Sequence, residues 1–194
     1  VNLPKHLSTT RLENNIRFEM RGEIYFPIRE FDRFSDRFDS YRNAVPGTFG
    51  RKDVDEAVDV LNVLRFRCYD VVAFRRSDSQ GEDTLLSAEQ MLAVAGATYF
   101  EKLTWLQNVG FDTGLREGTT RLIHGVSAHQ QLPDSVTQLF SAERDHQIDG
   151  VVIRFNDEIL YEALGSTSHH PRGSIAFKQE SEIAVTEILA IETS

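Results

Sequence analysis

Four short stretches of this 194-residue sequence set charged side chains among apolar neighbours: Glu19-Met20-Arg21-Gly22-Glu23, Arg65-Phe66-Arg67-Cys68-Tyr69-Asp70, Asp149-Gly150-Val151-Val152-Ile153-Arg154 and Ser174-Ile175-Ala176-Phe177-Lys178. Successive side chains of a strand point to opposite faces, so Ser174, Ala176 and Lys178 share one face. The lysine projects beside small neighbours that leave space for a ligand, a setting that suits phosphate. Asp149-Gly150 reads in two ways. It is a two-residue hairpin corner, because both residues tolerate positive φ, or it is a carboxylate aimed at a metal ion. Each stretch taken alone is also what the solvated face of a half-buried sheet looks like.

The elements that must position these residues follow from periodicity. From Ile16 to Phe26, apolar Phe18, Met20, Ile24 and Phe26 alternate with Glu19, Arg21, Glu23 and Tyr25, which predicts a half-buried strand. Pro27 opens a short amphipathic helix in which Ile28, Phe31 and Phe34 recur every third residue. Pro46, Gly47 and Gly50 mark Tyr41 to Asp53 as loop. Val60 to Phe74 is apolar and β-rich and reads as a second strand. After a polar surface connection over Arg75 to Thr84, a helix runs from Ser87 to Gly110 with Trp105 in or at the edge of its core face. A further helix is expected over Ser135 to Glu143, then the Asp149 strand, a short helix over Asp157 to Leu164, and strands over Ser174 to Lys178 and Ile183 to Ile191. Strands and helices interleave irregularly, which gives an α+β class with largely antiparallel sheets.

Bulk properties narrow the function. A hydrophobic content of 40% supports one domain with a core, and no apolar run approaches the roughly 18 residues that span a membrane. No membrane partner is expected. A net charge of -9 argues against a stand-alone nucleic-acid binder, though Arg65, Arg67, Arg75 and Arg76 form a local basic cluster. The single cysteine, Cys68, forms no internal disulfide and suits a reducing cytoplasm. His169 and His170 are adjacent, which places them poorly to chelate one metal. The sequence begins at Val1 and stops inside an apolar stretch, as expected of a fragment or processed piece.

Together and in this order, the four stretches resemble the nucleotidyltransferase domain of NAD-dependent DNA ligases. That family has a Glu-x-Arg-Gly-Glu strand, an aromatic strand ending in Tyr-Gly, an Asp-Gly-Val-Val-x-Lys strand and an Ala-x-Ala-Tyr-Lys strand around one adenylate pocket. Arg42-Asn43-Ala44-Val45-Pro46-Gly47-Thr48 resembles its Pro-Arg-Asn-Ala-Ala-Ala-Gly-Ser loop. Leu164-Gly165-Ser166-Thr167-Ser168-His169-His170-Pro171-Arg172 resembles its Leu-Gly-x-Thr-Ser-x-x-Pro-Arg. The resemblance runs from about Leu12 to Thr186 and is weakest between Arg75 and Gln147. It implies a nucleotidyltransferase, ATP-grasp-like core, incomplete on its N-terminal side, that uses NAD as AMP donor with Mg2+ and acts on nicked duplex DNA. By this resemblance Asp149 and Glu23 organise the metal, Glu23 also receiving the ribose hydroxyls. Tyr69 stacks on adenine, Arg42 touches phosphate, and Lys178 and Arg154 neutralise phosphate charge during transfer.

The departures are as specific as the matches. The family's nucleophile is a lysine in Lys-x-Asp-Gly, and none of Lys5, Lys52, Lys102 and Lys178 is followed by x-Asp-Gly. The nucleophile is therefore expected from a second ligase polypeptide or an upstream segment, with these 194 residues inactive alone in self-adenylation. The alternative is a non-catalytic, ligase-derived binding module. RNA ligases and capping enzymes share the superfamily chemistry but match the Arg42 and Leu164 to Arg172 segments less well. No oligonucleotide-binding fold, zinc module or helix-hairpin-helix module is read in the chain. Arg154 stands where lysine is usual, Asp70 follows Tyr69 where glycine is usual, and Gly173 replaces tryptophan. Arg51 is one residue out of register with a loop arginine, and Arg144 is the candidate for an arginine upstream of the acidic motif, at shorter spacing. Divergence of this size suggests a viral or distant bacterial member working in the cytoplasm.

Overall fold

The computed structural model describes residues 15–50, 57–77, 81–125 and 127–178, together with 185, 187, 189 and 190. Two antiparallel sheets organise them. In the first, β1 (Ile16–Tyr25) pairs along its whole length with β2 (Arg65–Arg75), and β2 pairs with the short β3 (Thr84–Leu85). In the second, β4 (Val151–Arg154) pairs with β5 (Ser174–Phe177), Val151 opposite Phe177 and Arg154 opposite Ser174. Helices flank both, as expected of the α+β class.

The first sheet has a core on one face. Cys68, Val71 and Ala73 of β2 are buried against Met91 and Ala95 of α3 (Ala88–Ala95) and Leu103 and Leu106 of α4 (Tyr99–Asn108), the third and fourth α-helices along the chain among the described residues. Trp105 packs at the rim of this cluster, its ring 5.4 Å from Phe18, which is the core-edge position expected. A second cluster closes the end of the sheet: Phe26 meets Phe31 and Phe34 edge-on, and Ala44, Val60, Val63 and Leu64 complete it. Ile28–Phe34 is a 3-10 helix, whose three residues per turn matches the three-residue spacing of Ile28, Phe31 and Phe34.

Four expectations are corrected. Tyr41–Phe49 is a helix, α1, not loop. Ser40 caps it, its hydroxyl accepting the Asn43 amide at 3.2 Å, and burial of Thr48 and of Ala44, with Tyr41 and Val45 packed on the second cluster, outweighs Pro46 and Gly47. The apolar run from Val60 is split, because Val58–Val63 forms α2 and only Arg65 onward is strand. Val60 and Val63, three apart, face the same cluster, so packing overrides their β-propensity. The single helix over Ser87 to Gly110 is two. Ser87 caps α3 and Thr98 caps α4, each with a reciprocal side chain three residues on, Gln90 and Glu101. Finally α5 (Ala128–Ser141) begins seven residues ahead of Ser135, with Pro133 in its second turn.

The helix expected over Asp157 to Leu164 is present as α6 (Glu158–Leu164), capped by Asp157. The strand expected over Ile183 to Ile191 falls largely outside the described residues, as do Lys5, Arg51 and Lys52. Among the described residues no helix is long and apolar enough to cross a membrane.

Candidate functional site

A cleft of about 970 Å³ lies between the two sheets, floored by the ends of β1 and β2 and bounded by α1, α4, α5 and β4. Glu23, Arg42, Tyr69, Asp149 and Arg154 all line it. Five of the six residues singled out from sequence therefore meet, although they come from four separated segments. Lys178, the sixth, is exposed at the end of β5 and does not line the cleft. It lies just behind Gly150, where a Cβ would stand 3.1 Å from the Lys178 Cγ.

Each side chain is positioned by a local device. The register of β1 against β2 shifts between Arg21, opposite Asp70, and Gly22, opposite Cys68, which leaves Tyr69 as the extra residue of a β-bulge. Bulges twist a strand locally and re-aim a side chain. Tyr69 is 51% exposed and faces the cleft, while its carbonyl accepts the Tyr99 hydroxyl at 2.7 Å. Burial, opposed in part by Arg154, pushes the Tyr99 phenol up to about 12, so it stays a donor. Arg42, on the first turn of α1, donates to Asp149 Oδ1 at 2.5 Å and to Gln147 at 3.1 Å. The helix that replaced the expected loop thus aims the arginine.

Asp149-Gly150 is not a hairpin corner. Gly150 has no positive φ, and β4 reaches its partner β5 through α6 and a long connection. Glycine is required for a different reason: a Cβ there would sit 2.6 Å from the Phe177 carbonyl oxygen, so the two strand ends approach too closely for a side chain.

Arg154 is held rather than free. Its Nη2 pairs closely with Glu158 Oε1, and its guanidinium lies between the rings of Tyr99 and Tyr161, 4.0 and 3.8 Å from their centroids. Arg67, named in sequence only as part of a basic cluster, is also turned inward. It pairs with Asp112 at 3.1 Å and Glu117 at 2.5 Å, and bonds Thr119 and His146. Arg65 is likewise spent on the carbonyls of Val63 and Leu64, so the expected basic cluster does not form one surface.

Of the further cleft residues, His146 carried no sequence signal as a site residue, whereas Arg144 was the candidate for an arginine upstream of the acidic motif. His146 is buried beside Arg67; burial first, then the Arg67 charge, lower its pKa, so the neutral ring accepts Arg67 Nη1 at Nε2 (3.0 Å). Arg144 lines the cleft with buried Nε and Nη2 that have no hydrogen-bond partner. Burial, then Arg67, lower its pKa. Buried guanidinium donors of this kind suit an anion. Lys102 was visible only as a lysine inside the apolar stripe of Tyr99, Leu103 and Leu106. Cys68 is buried and its thiol is pushed up to about 11, chiefly by burial, which makes it inert packing.

The donor set is hard oxygen: Glu23 and Asp149 are exposed carboxylates on one cleft. Among the described residues no three His, Cys, Asp or Glu side chains converge as a metal cage. A hard divalent cation held by one or two carboxylates, with water and phosphate completing its shell, fits that set.

Comparison with known proteins gives the family. The family model for the NAD-dependent DNA ligase adenylation domain matches residues 1–182. A DNA ligase of Bacillus cereus (strain AH187) is 30% identical over 192 residues, which cover 95% of this chain and 25% of the relative. DNA ligases of Bacillus anthracis and of Bacillus thuringiensis (strain Al Hakam) are 29% identical over the same shares. The chain spans about a quarter of the length of the curated relatives it matches.

Proposed function

Because the chain belongs to the NAD-dependent DNA ligase adenylation domain family, we propose that it is the adenylate-binding part of a ligase that seals nicks in duplex DNA. Its core is read as a nucleotidyltransferase, ATP-grasp-like fold, with all 194 residues forming part of one adenylation domain. The observation that carries this reading is the convergence of Glu23, Arg42, Tyr69, Asp149 and Arg154 on one cleft. A sheet whose charges were merely solvated would have no reason to bring them together.

In this reading the AMP moiety of the substrate NAD lies with its base on the exposed Tyr69 ring, and Glu23 receives the ribose hydroxyls. Arg42 meets phosphate, releasing Asp149 as it does so. Lys178 swings past Gly150 to stabilise charge that grows on the phosphate during transfer. Arg154 reaches phosphate only by exchanging Glu158. Mg2+, bound by Asp149 and Glu23, would supply charge neutralisation at the reacting phosphate.

The nucleophilic lysine comes from a segment or chain other than these residues, since no lysine here precedes x-Asp-Gly. The second sheet is compatible with that reading: Ile175 and Phe177 on one face are 67% and 52% exposed, and Val152 on the other is 66% exposed, so apolar area is left on both faces of a two-stranded sheet that a further segment can cover. A non-catalytic binding module remains the alternative, and complementation separates the two. The unreactive Cys68 suits a reducing cytoplasm.

Titration of the chain with AMP, followed by calorimetry, tests the cleft. Saturable binding is expected, weakened about tenfold by Tyr69→Ala, in line with roughly 1–3 kcal/mol for a base stacked on an aromatic ring. Equal affinity in the variant would remove Tyr69 from the site.

A further inference from the structure

Three of the departures from the family pattern, Asp70, Arg154 and Gly173, meet in one buried network. At its centre is Lys102 of α4, whose side chain is 7% exposed. Its Nζ lies 2.8 Å from Asp70 Oδ1 on β2 and 2.8 Å from Glu158 Oε2 on α6. The contact with Glu158 has hydrogen-bond geometry; Asp70 Oδ1 makes no such bond and is held by charge alone. The other Glu158 oxygen takes Arg154, itself sandwiched by Tyr99 and Tyr161. Gly173 makes room for that sandwich: a Cβ there would meet the Tyr161 ring at 2.5 Å. The signs alternate along the chain Asp70, Lys102, Glu158, Arg154, so the network is neutral as a whole and every member has an opposite neighbour.

Buried ion pairs of this kind contribute little net stability, since desolvation offsets their attraction, and their attested use is to fix one arrangement over others. What this one fixes is visible in its ends. Asp70 adjoins Tyr69 on the first sheet, and Arg154 ends β4 of the second. Packing through Leu103 and Leu106 secures α4 to the first sheet, and the amides of Tyr99 and Phe100 bond Asn156 at 2.7 and 2.9 Å. Those ties hold the junction at residues 156–158; beyond it the link from α4 to β4 runs through Glu158 to Arg154, and the second sheet, little of it buried, is otherwise touched by Phe140 at Phe177 and by Arg42 at Asp149.

We propose that Lys102 is a positioning residue: by bridging Asp70 and Glu158 it holds the second sheet at one distance from the first and so sets the width of the nucleotide cleft. The effect on nucleotide rests on the adenylate reading; the effect on sheet spacing does not.

Spin labels on Leu85→Cys and Ile175→Cys, one exposed site on each sheet, read the spacing by pulsed dipolar spectroscopy of the full chain, with buried Cys68 protected from labelling. A single narrow distance is expected, with at least a twofold broadening in Lys102→Met and recovery in Lys102→Arg. In case the lone substitution prevents folding by stranding two carboxylates, Asp70→Asn/Lys102→Met/Glu158→Gln removes all three charges; it should fold and remain broad. A narrow distance in either Met-containing variant overturns the proposal. AMP titration of the same proteins should show at least a tenfold weaker Kd wherever the distance is broad. Unchanged affinity in a broadened variant would also overturn it. If the unmutated chain does not bind AMP, the cleft reading fails, and the distances still decide the brace.

Discussion

The two sheets are built on different principles. The β1-β2-β3 sheet has a buried core on one face, where Cys68, Val71 and Ala73 of β2 are at zero exposure beneath Leu103 and Leu106 of α4. The β4–β5 sheet has two short strands, no buried apolar side chain, and Val152, Ile175 and Phe177 open to solvent. Hydrophobic burial fixes the first; strand pairing, the Asn156 junction and a polar brace fix the second. The site straddles the two, with Tyr69 and Glu23 on the self-sufficient sheet and Asp149 and Lys178 on the dependent one. In the proposed function the well-packed first sheet is the platform for the nucleotide, and the second is the one that other residues complete.

That contrast can be broken most sharply in the core. Leu106→Ala should destabilise the chain by roughly 2–5 kcal/mol, as cavity-forming substitutions do, measured by denaturant unfolding. A loss under about 1 kcal/mol would mean that the first sheet does not carry the fold. Next in size is Lys178→Ala, which should leave unfolding unchanged and slow phosphoryl transfer in the completed enzyme by about 3 kcal/mol of activation free energy. A rate preserved with only weaker nucleotide affinity would assign Lys178 to binding alone.

A smaller effect is expected from His146 on the cleft floor. Its folded pKa is lowered by burial and Arg67, so the unfolded chain takes up a proton near pH 6.5 while the folded chain does not. Stability should therefore fall as pH drops from 7.5 through that window, and the slope should shrink in His146→Gln. An identical pH dependence in the variant would place the protonation elsewhere. Least of all should change with Ile175→Ala, an exposed residue of the second sheet, within about 0.5 kcal/mol. A larger loss would show that this surface is already covered in the folded chain.

Legibility in the sequence followed the same division. Period-two alternation located β1, and motif order brought Glu23, Arg42, Tyr69, Asp149 and Arg154 to one cleft. Local rules failed where packing overrode them: Pro46 and Gly47 read as loop, yet Ser40 and the second cluster make a helix that aims Arg42. Asp149-Gly150 allowed either a turn or a metal-facing carboxylate, whereas its glycine answers to the strand end at Phe177, 27 residues on, which no local pattern reveals. Lys102 and His146 were invisible as site residues because their partners lie at Asp70, Glu158 and Arg67, far away in sequence. A lysine within an apolar helical stripe was the one hint, since such a charge must be paired when buried.

In the proposed function these residues supply the pocket and another segment supplies the nucleophile. Intact-mass spectrometry of the chain incubated with NAD and Mg2+, alone and with a polypeptide carrying Lys-x-Asp-Gly from a related ligase, tests it most directly. An AMP adduct should form on the partner's lysine only when both are present, and never on Lys5, Lys52, Lys102 or Lys178. An adduct on any of those four lysines, or none on the partner across matched relatives, would contradict it.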